Sequence, residues 1–76
     1  MTRKQEIFRN QSAFAGYSYR VLASESVVAI QQRFQNATWR TVKTLARTEF
    51  DDFADSVKLY DPYDQNPAKL ARFVEQ

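Results

Sequence analysis

The chain of 76 residues contains no cysteine and no histidine, a single glycine (Gly16) and two prolines (Pro62 and Pro67). Without cysteine there is neither a disulfide framework nor a thiolate metal site, so apolar packing or a partner must hold the fold. With histidine missing too, the commonest general base, the best nucleophile and the usual transition-metal ligands are all absent. The sequence therefore reads as non-enzymatic, with no cofactor and no metal. One glycine is too few for a glycine-rich phosphate loop. Nowhere do 18 apolar residues run together, and the start Met1-Thr2-Arg3-Lys4-Gln5-Glu6 has no apolar stretch behind it. No membrane span and no secretory leader are expected, and the location reads as cytoplasmic.

What is present suffices for one modest core. A chain of this mass hides roughly 60–65% of its unfolded surface on folding. The hydrophobic content is 43% and the aromatic content 14%, with Trp39, four tyrosines and six phenylalanines, which argues against disorder over most of the length. We expect residues 1–16 to be an N-terminal arm with a possible short helix, and residues 17–76 to be a single small domain. The net charge of +2 is unevenly spread. Residues 1–47 carry eight basic and two acidic side chains, net +6, and residues 48–76 carry three basic and seven acidic ones, net −4. Such bipolarity bears on partners rather than on fold.

The run from Tyr17 to Ala23 alternates as a half-buried strand does. A second run, Val27 to Phe34, and a third, Thr38 to Ala46, rich in Thr, Val and Trp, complete three strands. If Ser24-Glu25 and Asn36-Ala37 are the loops, Val21 faces Val28, Tyr19 faces Ile30, Ile30 faces Lys43 and Phe34 faces Trp39. One buried face then holds Tyr17, Tyr19, Val21, Val28, Ile30, Phe34, Trp39 and Leu45. A slip of one residue would destroy that agreement.

After Thr48 the period changes. Phe50, Phe53, Ala54 and Val57 mark a helix over about 49–60, with Thr48 and Asp51 resembling a capping box. It should stop before Pro62. Asn66 as cap and Pro67 at the first helical position begin a short C-terminal helix with Leu70, Phe73 and Val74 inward. The expected fold is α+β, a three-stranded antiparallel sheet with a helix packed on one face and a short terminal helix. A small all-α bundle is the alternative, because Trp39, Val42, Ala46, Phe50, Phe53, Val57 and Tyr60 are also helically spaced. Thr38, Thr41, Val42 and Thr44 speak against it, since β-branched side chains lose rotamer freedom in a helix.

Asp51 with Asp55 and Asp61 with Asp64 could be imagined around a hard cation, but a solvated acidic face explains them better. The opposite sheet face is more informative. There Arg20, Gln31, Arg33, Arg40 and Val42 lie together, with Arg33 directly opposite Arg40, an arrangement that suits an oxyanion. Apolar neighbours among arginines resemble a protein contact patch, so a protein partner bound through this basic face is the first expectation, as for an inhibitor. Single-stranded nucleic acid is the second, with Tyr17, Tyr19, Trp39 and Lys43 as its residues, favoured if the register slips and brings the aromatics out. A homo-oligomer joining basic sheet to acidic helix is the third. The general build is similar to that of small accessory proteins of phages and mobile elements. That resemblance, which no motif carries, implies a protein that acts by occluding a host protein.

Overall fold

The computed structural model describes residues 3–76; Met1 and Thr2, the start of the expected arm, lie outside the described residues. Six elements follow in order: β1 (Gln5–Arg9), β2 (Tyr17–Ala23), β3 (Val27–Phe34), β4 (Arg40–Ala46), α1 (Arg47–Val57) and α2 (Ala68–Val74). The fold is α+β, with an antiparallel sheet of four strands in the order β1-β2-β3-β4 and two helices. The all-α alternative fails, because Trp39, Val42 and Ala46 belong to the approach and body of a strand and not to a helix.

The fourth strand is the main correction. Gln5–Arg9 was expected as arm or short helix, and it pairs with β2 instead: Gln5 with Ala23, Glu6 with Leu22, Phe8 with Val21, Arg9 with Arg20. Ile7 is the extra residue of a bulge, so Ile7 and Phe8 are both half-buried against the core although they are adjacent. A bulge lets two successive side chains serve one face, which an even pleat forbids.

Between β2 and β3 the partners are Val21 with Ile30, Tyr19 with Gln32 and Ala23 with Val28. The turn is Glu25-Ser26, closed by Ser24 N–H donating to Val27 O at 2.9 Å. This is two residues from the expected pairing, and a shift of two leaves every side chain on its expected face. Between β3 and β4 the expected partners hold for Val28 with Leu45 and Ile30 with Lys43; then the ladder bulges at Val42, and Gln31 pairs with Thr41 and Gln32 with Arg40.

One face of the sheet carries both helices. Tyr19, Val21, Ala23, Val28 and Ile30 meet Phe50, Ala54, Leu59, Leu70 and Ala71 in a single core. Phe50, Ile30, Leu70, Val21 and Val28 are fully enclosed, and at roughly 1.5–3 kcal/mol per large apolar side chain they dominate the stabilisation. The rings of Phe53 and Phe73 stack 3.9 Å apart and join α1 to α2.

Helix α1 begins directly after β4, with Ala46 as its cap residue and no side-chain cap, so Thr48 and Asp51 do not form the expected box. Arg47 anchors this start instead: its N–H donates to Ser26 O and its guanidinium to Ser24 O at 2.8 Å. The helix ends earlier than expected, at Val57, because Lys58 takes a left-handed conformation (φ 54°). Helix α2 begins one residue later than expected, with Pro67 and not Asn66 in the cap position, although the Asn66 side-chain oxygen accepts from Ala68 N–H at 2.9 Å.

Candidate functional site

The face of the sheet opposite the helices carries the candidate site. Side-chain parity sends Arg20 of β2 and Gln31 and Arg33 of β3 to it, and β1 adds Arg9 directly opposite Arg20. The decisive placement is Trp39. In an unbroken ladder it would point toward the helices; the bulge at Val42 absorbs one residue, so the segment entering β4 is turned over and Trp39 lies among the arginines.

The geometry around the indole is close. The guanidinium carbons of Arg20 and Arg33 each lie 4.5 Å from its ring centroid, and that of Arg9 lies 5.5 Å away. Each contact of a guanidinium with an indole contributes about 0.5–1 kcal/mol at an exposed site. Like charges opposed across strands cost some tenths of a kcal/mol. The tryptophan thus offsets the mutual repulsion of three arginines drawn from three strands and holds them within one surface.

Hydrogen bonds order the cluster further. Arg20 Nε donates to Gln31 Oε1 at 2.7 Å, and Gln31 Nε2 donates to Thr41 Oγ1 at 3.2 Å. Arg9 is held by Glu6, whose Oε1 accepts from Nε at 3.0 Å and from Nη2 at 2.7 Å. Arg33 Nε is enclosed and has no hydrogen-bond partner among the described residues. An unsatisfied enclosed donor costs about 1–3 kcal/mol, so an acceptor brought to Arg33 gains more than one brought to a satisfied group.

The expected residues divide. Arg20, Gln31 and Arg33 are brought together as expected. Arg40 is not opposite Arg33: it pairs with Gln32, a residue of the helix-side face, and Val42 packs against the core. The same bulge that brings Trp39 out removes these two. Tyr19 is buried, its pKa raised by that burial first and by Glu75 and Tyr17 after it. Lys43 points to the helix side, its ammonium 4.9 Å from the Phe73 ring centroid. Tyr17 pairs with Phe34 at the end of the helix-side face, rings 5.1 Å apart, where they are 37% and 47% exposed. The four residues expected for nucleic acid therefore form no single platform, and only Trp39 joins the arginines.

Arg9 escaped the sequence reading because β1 did. The signal available was the doublet Ile7-Phe8 inside a polar stretch, which an even strand does not explain and a bulged one does. Among the described residues no group of three acidic, histidine or cysteine side chains could hold a metal ion, and no helix is long and apolar enough to cross a membrane. Comparison with known protein families, with curated proteins and with solved structures finds no match to this chain.

Proposed function

We propose that this is a non-enzymatic binding protein whose working surface is the helix-free face of the sheet, and that single-stranded nucleic acid is its ligand there. The observation that carries this reading is Trp39 seated among Arg9, Arg20 and Arg33. Surfaces that take single strands without strong sequence preference combine cations for the phosphates with aromatic or guanidinium planes on which bases stack. On this face a base that slides onto Trp39 displaces a guanidinium, which is then free to grip a phosphate. Arg33 is the first choice for that grip, since its Nε has no hydrogen-bond partner among the described residues.

Trp39 is the only tryptophan, so its fluorescence reports on this surface alone. Titration with a single-stranded oligonucleotide at low salt should quench it, and the affinity should fall with salt with a logarithmic slope of about −0.7 per phosphate contacted. Absence of quenching at low salt excludes the reading.

A protein partner is the second reading, favoured by Leu22 and Val27, half-exposed and apolar on the same face as the arginines. Tryptophan and arginine are also the side chains that dominate binding hot spots. Affinity capture followed by nuclease separates the two. A partner that survives nuclease and is lost with Arg20→Glu/Arg33→Glu, while the circular dichroism is unchanged, favours the protein reading.

A further inference from the structure

Between the end of β1 and the segment joining α1 to α2 lies a half-open cleft of about 290 Å3. Ligand pockets begin near that size, so it suits one small molecule or one side chain. Two of its walls are aromatic. The Phe8 and Tyr60 rings meet at 83° with centroids 5.8 Å apart, forming a corner with two π surfaces. Leu59 closes the floor.

The polar lining is mixed and includes the amides of Gln11 and Gln65. Lys69 also lines the cleft, but its three N–H bonds are all used: Nζ reaches Lys58 O at 3.0 Å, Asp64 O at 2.8 Å and Asp64 Oδ2 at 3.1 Å. Asn10 Nδ2 donates to Pro67 O at 3.2 Å, which leaves the amide oxygen of Asn10 open. Arg9, the other cation of the lining, is engaged by Glu6. Asp61 is half-buried, accepts only Tyr63 N–H at 2.8 Å, and takes part in no ion pair among the described residues. Burial raises the pKa of Tyr60 most, Asp51 raises it further, Arg47 opposes and Asp55 adds a smaller rise.

An unpaired carboxylate beside two ring faces suits a cation on an apolar stem. We propose that the cleft between Phe8, Tyr60 and Asp61 binds an alkylguanidinium or alkylammonium group, its head on Asp61 and its stem and charge against the two rings. The cleft adjoins the Trp39 surface through Arg9, which lines both, but its rings and its carboxylate belong to the cleft alone.

The test is a titration of the isotope-labelled full chain, followed by amide and aromatic NMR shifts. The probes are agmatine for a free amine, N-acetyl-arginine amide for a polypeptide side chain, and N-acetyl-glutamate amide as anionic control. The expected result is saturable shifts at Phe8, Asn10, Tyr60 and Asp61 with a cationic probe, and about ten-fold weaker binding in Asp61→Asn, the loss of one charge-assisted contact. Asn keeps the acceptor that Tyr63 uses, and Tyr60→Leu, at a position 55% exposed, removes one π wall as a second variant. Saturation by agmatine alone assigns the cleft to free amines, and saturation by both cations extends it to side chains. No saturable shift with either cation, undiminished binding in both variants, or equal binding of the glutamate probe overturns the proposal.

Discussion

The guanidinium carbon of Arg33 lies 4.5 Å from the centre of the Trp39 ring, on the side of the sheet that neither helix covers. That contact makes the surface a cluster instead of a scatter of solubilising charges. It also gives the tryptophan two separable roles, one in holding the arginines and one in meeting a ligand.

Trp39→Ala removes both roles. The loss of the guanidinium contacts should lower stability by about 1–2 kcal/mol, read from the urea midpoint. The affinity for a single-stranded oligonucleotide should fall by about ten-fold or more, in line with the 1–3 kcal/mol of one base–aromatic stack. Unchanged affinity at reduced stability would show that the ring is only a scaffold.

Arg33→Ala and Arg40→Ala form a matched pair. Both remove one positive charge, but Arg33 stands on the Trp39 face and Arg40 is paired with Gln32 on the other. The first should flatten the salt dependence of oligonucleotide binding by about one phosphate contact, a slope change near 0.7, and the second should leave it unaltered. Equal effects would mean that net charge and not the cluster governs binding.

Phe50 is the largest fully enclosed side chain. Phe50→Ala should cost about 3–5 kcal/mol. A domain of this length has a total stability of only about 4–11 kcal/mol at 0.05–0.15 kcal/mol per residue. Loss or severe weakening of the cooperative transition in circular dichroism is the expected outcome.

Lys58 ends α1 with φ 54° and ψ 52°, a conformation glycine adopts without strain. Lys58→Gly should stabilise the protein by about 0.5–1 kcal/mol, a rise in Tm of about 4 °C. The backbone oxygen that Lys69 uses is kept in this variant.

Stability should stay level up to the ordinary tyrosine pKa near 10 and fall above it. Tyr19 and Tyr60 are both held above that value by burial. The folded state therefore keeps their protons where the unfolded chain has released its own, and the advantage is lost as pH rises through the folded values. Urea midpoints measured through that range should show the decline, and Tyr19→Phe should make it shallower.

How far the sequence announces this fold can be judged strand by strand. β2 and β3 alternate cleanly because each keeps one face on the helices, and an error of two residues in their pairing did not disturb the faces. α1 declares itself through Phe50, Phe53, Ala54 and Val57, though its end does not, since a lysine stands where a glycine would have signalled the stop. β1 was hidden because the bulge at Ile7 erases the period that defines a strand in sequence. The site was half legible for the same reason. Arg20, Gln31 and Arg33 follow from parity, whereas Trp39, Arg40 and Val42 depend on where β4 takes up its extra residue, which is settled by contacts across the sheet and by no local pattern.

The bulge at Val42 also means that one stretch of chain holds two surfaces in reserve. If the segment from Trp39 to Thr41 slid by one position, the ladder would run unbroken, Arg40 would come out to meet Arg33, and Trp39 would turn toward the helices. The topology would be untouched by that slide, but Val42 would leave the core for the outer face. The attraction of Trp39 for the arginines and the repulsion of Arg33 and Arg40 that is avoided both favour the observed register, together by about 1–2 kcal/mol. The bulge thus couples the outside of the molecule to its inside, since the step that exposes Trp39 is the same one that seats Val42.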